Sequence, residues 1–358
     1  MNDDCLKLTV YFGESDRVGG RLLSDALLDV FERHGIHAAV LMRAVEGFGI
    51  DHALRTDRFL TLSEDLPLVA VAVDERRLIE PLLPEVTELV GSGLVTLERA
   101  RLLHDRLDAV ELPEDLHEAT KLTIYLGRDE RIRGRPVFLE VVDRLHAQGL
   151  AGATVLLGVD GMAHRRRQRA RFLSRNGAVP LMIISIGTGQ TIARALPALD
   201  ELLADPIVTL ERVRVCKRDG ALLAEPLLVP EQDDAGLGVW QKLMVYAGEQ
   251  ARHGGHPLHS ELIRRLREDG AGGATSLRGI WGFSGDHRPH GDRVWRVRRR
   301  VPVLTAIVDT PERIRHWFRV VDEVTDQAGL VTSELVPAFR AVAPERTIGG
   351  LGLARLRF

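Results

Sequence analysis

Lys7-Leu-Thr-Val-Tyr-Phe-Gly13, Lys121-Leu-Thr-Ile-Tyr-Leu-Gly127 and Lys242-Leu-Met-Val-Tyr-Ala-Gly248 are one stretch written three times, and the repetition decides the fold. The offsets of 114 and 121 residues exceed the roughly 20 to 50 residues of a solenoid repeat, so each unit is expected to be a whole domain. All three tyrosines of the chain fall at one repeat position, and three of its four lysines, against 44 arginines, fall four residues earlier. Alternation along a strand puts Leu6, Leu8, Val10 and Phe12 on one face and Lys7, Thr9 and Tyr11 on the other. The second face has two readings: tyrosine and lysine stem packed against another sheet, or lysine presented to a ligand.

Working outward, each copy keeps one order. A helix is expected from about Gly20 to His34, with Leu23, Leu27, Val30 and Phe31 on one stripe and Gly35 as its stop. A second strand, about His37 to Val45, runs into a glycine-flanked aromatic and a polar loop to about Arg58. A third strand, near Leu68 to Val73, follows Pro67, matched by Pro180 and Pro302. A helix from about Glu75 to Val90 and a strand from Leu94 to Leu102 close the unit. The order βαββαβ is that of an α+β, ferredoxin-like sandwich with both helices on one sheet face. The expected divisions are copy one at 1–104, a linker at 105–119, copy two at 120–216, a linker at 217–240, copy three at 241–340 and a tail at 341–358. A bare apolar sheet face on each copy predicts mutual burial, an intramolecular pseudo-trimer acting as a monomer. Leu351, Leu353, Leu356 and Phe358 favour docking of the tail.

Of the 358 residues, 45% are hydrophobic and the net charge is -3, which disfavours wholesale nucleic-acid binding. Cys5 and Cys216 are too few for a disulfide framework and have no metal spacing. No charged-plus-apolar leader opens the sequence, and no run approaches the roughly 18 to 20 apolar residues that cross a bilayer, so a cytoplasmic protein is expected.

The blocks Lys-Leu-x-x-Tyr-x-Gly-Glu, Gly-Ala-Thr-x-x-Arg-Gly-Ile-x-Gly-Phe, Leu62-Ser-Glu-Asp-Leu-Pro67, Val73-Asp74 and Gly93-Leu-Val-Thr96 resemble the PII-like family called domain of unknown function 190. The resemblance covers nearly all of each copy and implies a PII-type trimer with its sheets facing a threefold axis. It implies a sensor rather than an enzyme, binding small effectors, often adenine nucleotides, in clefts between subunits. A long loop after the second strand would then signal to a partner, often a membrane transporter; the family's association with fluoride-channel genes points the same way.

Joined to the repeat, the resemblance places candidate ligand residues at the base of the long loop. These are Arg43, Gly47, Phe48 and Gly49 in copy one and Arg278, Gly282 and Phe283 in copy three, with Ser92, Gly93, Lys7 and Lys242 beside them. Glycine permits close approach of a phosphate, and an arginine fork suits phosphate or carboxylate. Plain alternatives are a tight loop for Gly47-Phe-Gly49 and a surface salt bridge for either arginine. Copy two departs from the pattern: Leu157 replaces the arginine, Met162 the aromatic, Ala163 the second glycine, Gly187 the aspartate seen as Asp74 and Asp309, and Asp205-Pro206 the Ser92-Gly93 pair. Fewer than three working clefts are therefore expected.

The loops of copies two and three are basic, His164-Arg-Arg-Arg-Gln-Arg-Ala-Arg171 and Arg296-Val-Arg-Arg-Arg300, and suit solvent or contact with an acidic partner, anionic lipid or nucleic acid. Only Trp295 interleaves them, which gives no base-stacking platform. His253, His256 and His259 recur in no other copy, so no metal site is expected. No nucleophile elbow, Walker loop or recurring acid-base pair is present, and neither catalysis nor a fixed cofactor is expected. The sequence reads as a regulatory protein that binds a small effector, an adenine nucleotide among the candidates, and acts on a partner such as a transporter or channel. The alternative is a ligand-free scaffold working through its basic loops.

Overall fold

The alternation along Cys5–Gly13 is realised as a strand whose Leu6, Leu8, Val10 and Phe12 lie beneath the helices of copy one, in one cluster with Leu27, Phe31, Ile79 and Val86. The computed structural model describes residues 5–49, 54–56, 65–103, 107, 119–167, 179–285, 287–291, 301–343 and 345–355. The first strand pairs antiparallel with Pro67–Glu75 on one side and Gly93–Leu103 on the other, and Ala38–Arg43 lies outside the former. The same order, second–third–first–fourth, recurs with Ala119–Gly127 central in copy two and Trp240–Gly248 central in copy three. Each copy is a ferredoxin-like unit.

The first helices, Leu23–Arg33, Val137–Ala147 and Leu258–Glu268, end at glycines with left-handed backbone: Gly35 (φ 66°), Gly149 (φ 76°) and Gly270 (φ 82°). The expected helix start at Gly20 is displaced by a small hairpin, Arg17–Val18 with Arg21–Leu22. Gly19 and Gly20 both take positive φ, which makes a hairpin turn rather than a helix cap. The second helix of copy one is broken into Arg76–Ile79, a 3-10 turn at Glu80–Leu82 and Leu83–Leu89. Pro81 and Pro84 lack the N–H that a continuous helix requires.

The bare faces are buried against one another as expected. Val40, Met42, Val69 and Val71 of copy one, Tyr125, Met182 and Ile184 of copy two, and Met244, Leu277 and Leu304 of copy three form one central cluster. The last strands of copies one and two overrun their own sheets into the next copy, and in copy three the strand that follows, Ala338–Ala343, does the same. Arg101–Leu103 pairs with Val208–Leu210, Arg214–Arg218 with Leu330–Ser333, and Ala338–Val342 with Gly93–Leu97. The three additions close a ring, so the chain forms its own pseudo-threefold body. The tail folds back as Arg346–Gly350 against Ala338–Ala343, and Leu351 and Leu353 pack on the core of copy one; Leu356 and Phe358 lie outside the described residues.

Candidate functional site

Lys7 stands directly opposite Glu98 in the sheet of copy one, Lys121 opposite Glu211 in copy two, and Lys242 opposite Glu334 in copy three. All six side chains point to the axis and are buried. Lys7 reaches Glu98 at 3.0 Å and is hydrogen-bonded to Glu211; Lys121 holds Glu211 at 3.0 Å and Glu334 at 2.5 Å; Lys242 holds Glu334 at 3.1 Å and Glu98 at 2.5 Å. Each lysine thus bridges its own copy and a neighbour in a closed, alternating ring. Burial alone would raise the carboxyls, but the surrounding lysines override it, holding Glu334 down at about 2 and Glu98 lower still. Burial likewise opposes the charge on Lys7 and Lys242, and there the carboxylates win and raise both; at Lys121 burial wins and lowers it. The three carboxylates approach within 4.8 Å of one another, a spacing that by itself suits a cation. Three ammonium groups already balance them, so this donor set does not call for a metal.

The glycine-aromatic stretch leaves its own sheet. Glu46–Phe48 pairs with Ala274–Ser276 of copy three, Asp160–Met162 with Ala39–Leu41 of copy one, and Trp281–Ser284 with Gly152–Val155 of copy two. A Cβ placed on Gly47, Gly161 or Gly282 would meet the carbonyl oxygen of Ala274 at 2.7 Å, Ala39 at 2.1 Å or Ala153 at 2.2 Å. The glycines therefore permit neighbouring backbones to touch. The hydrophobe one residue on fills the next copy: Phe48 joins the core of copy three, Met162 that of copy one and Phe283 that of copy two. Methionine at 162 preserves this packing role.

Arg43 donates to Glu14 at 2.7 and 2.9 Å, and Arg278 lies 3.0 Å from Glu249; copy two, which lacks the arginine, also lacks the glutamate, having Leu157 and Arg128. Gly49 lies beside Gly273 of copy three. Ser92 is exposed, and Gly93 (φ 123°) starts the last strand where a Cβ would meet the Tyr11 carbonyl at 2.2 Å. Asp74 accepts from the His37 and Glu75 amides, and Asp309 from the Thr310 amide and the Trp317 indole; Gly187 offers no such acceptor, while Thr188 caps the next helix as Thr310 does in copy three. In the basic stretch of copy two, Arg167 is held by Asp29 at 2.6 Å, Asp160 at 3.3 Å and Asp25 at 3.5 Å, two of them on the first helix of copy one. Residues 168–178 and 292–300, with Trp295 and Arg296–Arg300, lie outside the described residues.

None of the eleven predicted ligand residues lines the open cavity of about 480 Å³ between copies two and three. Its walls are His146, Gly149, Leu150 and Ala151 at the end of the first helix of copy two, Arg218 and Asp219 at the end of its last strand, and Ser284, Gly285 and Leu330 of copy three. Phe283 seats beneath it, edge-on to the His146 ring at 4.9 Å, and the Gly285 amide donates to Ala151 at 2.8 Å. Gly149 is a repeated helix stop, but His146, Arg218 and Asp219 carry no repeat signal, because the cavity arises where unequal parts of two copies meet. The glutamates of the ring were findable, since Thr96-Leu-Glu98, Thr209-Leu-Glu211 and Thr332-Ser-Glu334 recur in step with the lysines.

Among known proteins, the profile of the family described as DUF190, an uncharacterized ACR, matches residues 5–102, 119–215 and 240–338. A UPF0166 protein of Methanocaldococcus jannaschii is 29% identical over 91 residues, 25% of this chain and 83% of that protein. A UPF0166 protein of Aquifex aeolicus is 29% identical over 93 residues, 26% of this chain and 86% of that protein. Each relative thus corresponds to one copy. The aspartate kinase of Synechocystis aligns over 96% of this chain and 45% of its own, with 9% identity and a TM-score of 0.28, too low to indicate a shared fold.

Proposed function

The chain belongs to the DUF190 family, and from that membership we propose that it is a PII-like regulatory protein that binds a small effector between its copies and passes the bound state to a partner. The observation that carries this reading is the cavity between copies two and three. Its volume, about 480 Å³, falls within the roughly 300–1,000 Å³ of small-molecule sites. It touches Ser284 and Gly285, where the second strand of copy three leads into its long loop, so an occupant would bear on the loop directly. Adenine nucleotides are the first effectors to try, and a membrane transporter or channel is the class of partner proposed.

Calorimetric titration of the whole chain with adenine nucleotides, cyclic nucleotides and small anions tests the reading. Saturable binding of at least one is expected, and silence across the panel overturns it. The competing scaffold reading draws on the exposed Arg165 and Arg166. It requires that shortening the segment from His164 to Arg175 abolish capture of an acidic partner while every titration stays blank.

A further inference from the structure

Most charged groups near the predicted loop bases are already engaged: Arg43 by Glu14, Arg278 by Glu249 and Arg167 by three aspartates. The cavity between copies two and three differs. Among the described residues, the side chains of His146, Arg218, Asp219 and Ser284 have no hydrogen-bond or ion-pair partner, and the His146 ring stands edge-on to Phe283. Four polar residues without a protein partner, Arg218, Asp219 and Ser284 exposed and His146 half-buried, converge on one cavity with Leu150 and Leu330 as apolar wall.

The segment carrying two of these groups is fixed in place. Lys217–Arg218 pairs with Ala221–Leu222 around Asp219 (φ 47°) and Gly220 (φ 81°), a two-residue turn with both residues left-handed. The Asp219 amide donates to the Gly329 carbonyl at 2.8 Å, and a Cβ on Gly220 would meet the Asp326 carbonyl at 2.3 Å. Lys217 is also anchored, donating to the Asp322 side chain at 2.5 Å and its carbonyl at 2.6 Å. The hairpin of copy two is thus clamped onto copy three, and Arg218 and Asp219 are presented from a rigid turn.

Resting on the regulatory reading above, we infer that this cleft binds one molecule per chain of a small two-ended metabolite. An anionic group, phosphate or carboxylate, would be taken by Arg218 and His146, and a hydrogen-bond donor by Asp219. Seated there, the ligand ties Ser284, at the root of the copy-three loop, to the hairpin and helix end of copy two.

The test is calorimetry on the full chain with 5′-AMP and L-glutamate, which carry the anion as phosphate and as carboxylate, and with uncharged adenosine. One or both anionic probes are expected to bind at one site per chain, with adenosine far weaker. Arg218→Ala should weaken binding by about 10- to 100-fold, the loss set by a charge-assisted hydrogen bond. Asp219→Asn, which tolerates the left-handed turn, should weaken it while the circular dichroism stays unchanged. Arg77→Ala, on a surface helix of copy one, should leave binding as it was. Binding at two or three sites per chain, indifference to Arg218→Ala, or adenosine binding as tightly as 5′-AMP overturns this inference and leaves effector binding standing. Silence of all three probes also overturns it, and silence of the wider nucleotide and anion panel removes the regulatory reading with it.

Discussion

Replacing Glu98 with glutamine removes one charge from the axial ring while keeping shape and volume. In the native ring Glu98 accepts from Lys242 at 2.5 Å and Thr96 at 3.2 Å, and lies 3.0 Å from Lys7. The carboxyl is 2% exposed, so water cannot substitute for it. Losing two charge-assisted contacts at roughly 1.5–3 kcal/mol each agrees with the roughly 3–5 kcal/mol for breaking a buried pair from one side. Urea unfolding followed by far-UV circular dichroism should therefore show Glu98→Gln destabilised by about 3–5 kcal/mol. Converting the three lysines to methionine and the three glutamates to leucine together should recover most of that loss, because no uncompensated charge remains. A loss below about 1 kcal/mol in the single variant, the size of an exposed pair, would refute the claim that the ring is a closed, buried, charge-balanced unit. The acid limb checks the same point. Glu334 is held at about 2 against an ordinary 4.5, so its stabilisation is complete above pH 4.5 and drains away as the pH falls toward 2.

Other expectations follow from the interfaces. Gly282→Ala should destabilise by about 1–3 kcal/mol in thermal unfolding, since its Cβ would collide with the Ala153 carbonyl, whereas Gly91→Ala, which meets open space, should be near neutral. Phe283→Ala should cost about 3–5 kcal/mol in urea, because it empties a place in the core of copy two, and an effect below 1 kcal/mol would contradict the seating described. Burial pushes the Cys216 thiol up to about 12 and Cys5 higher. Ellman's reagent at pH 8 should find no reactive thiol in the native protein and two after denaturation.

The three-copy order was legible because period-two and period-3.6 patterns recur in register, and the inward face was legible from Lys7, Thr9 and Tyr11 alternating with Leu6, Leu8 and Val10. The glutamates recur in step with those lysines, but which copy's glutamate each lysine meets is not legible. Lys7 contacts Glu211, 204 residues away, and no local pattern encodes such a contact. The glycine-aromatic stretch recurs visibly in the sequence, yet its physics is inter-copy: Gly47 and Gly282 admit a neighbouring carbonyl, and Phe48 and Phe283 enter a neighbouring core. A strand that leaves its own sheet has the same alternation as one that stays. His146, Arg218 and Asp219 form no motif, because they are assembled by the docking of the Asp219-Gly220 hairpin onto copy three.

One chain closes the threefold ring by itself, through the paired strand ends of its three copies. Light scattering coupled to size exclusion tests that most directly, on the full chain at micromolar concentration. The paired strand ends and the charge-balanced axis predict the mass of one chain, unchanged on dilution. A mass near three chains would mean that the interfaces are satisfied between molecules, and would contradict the intramolecular ring.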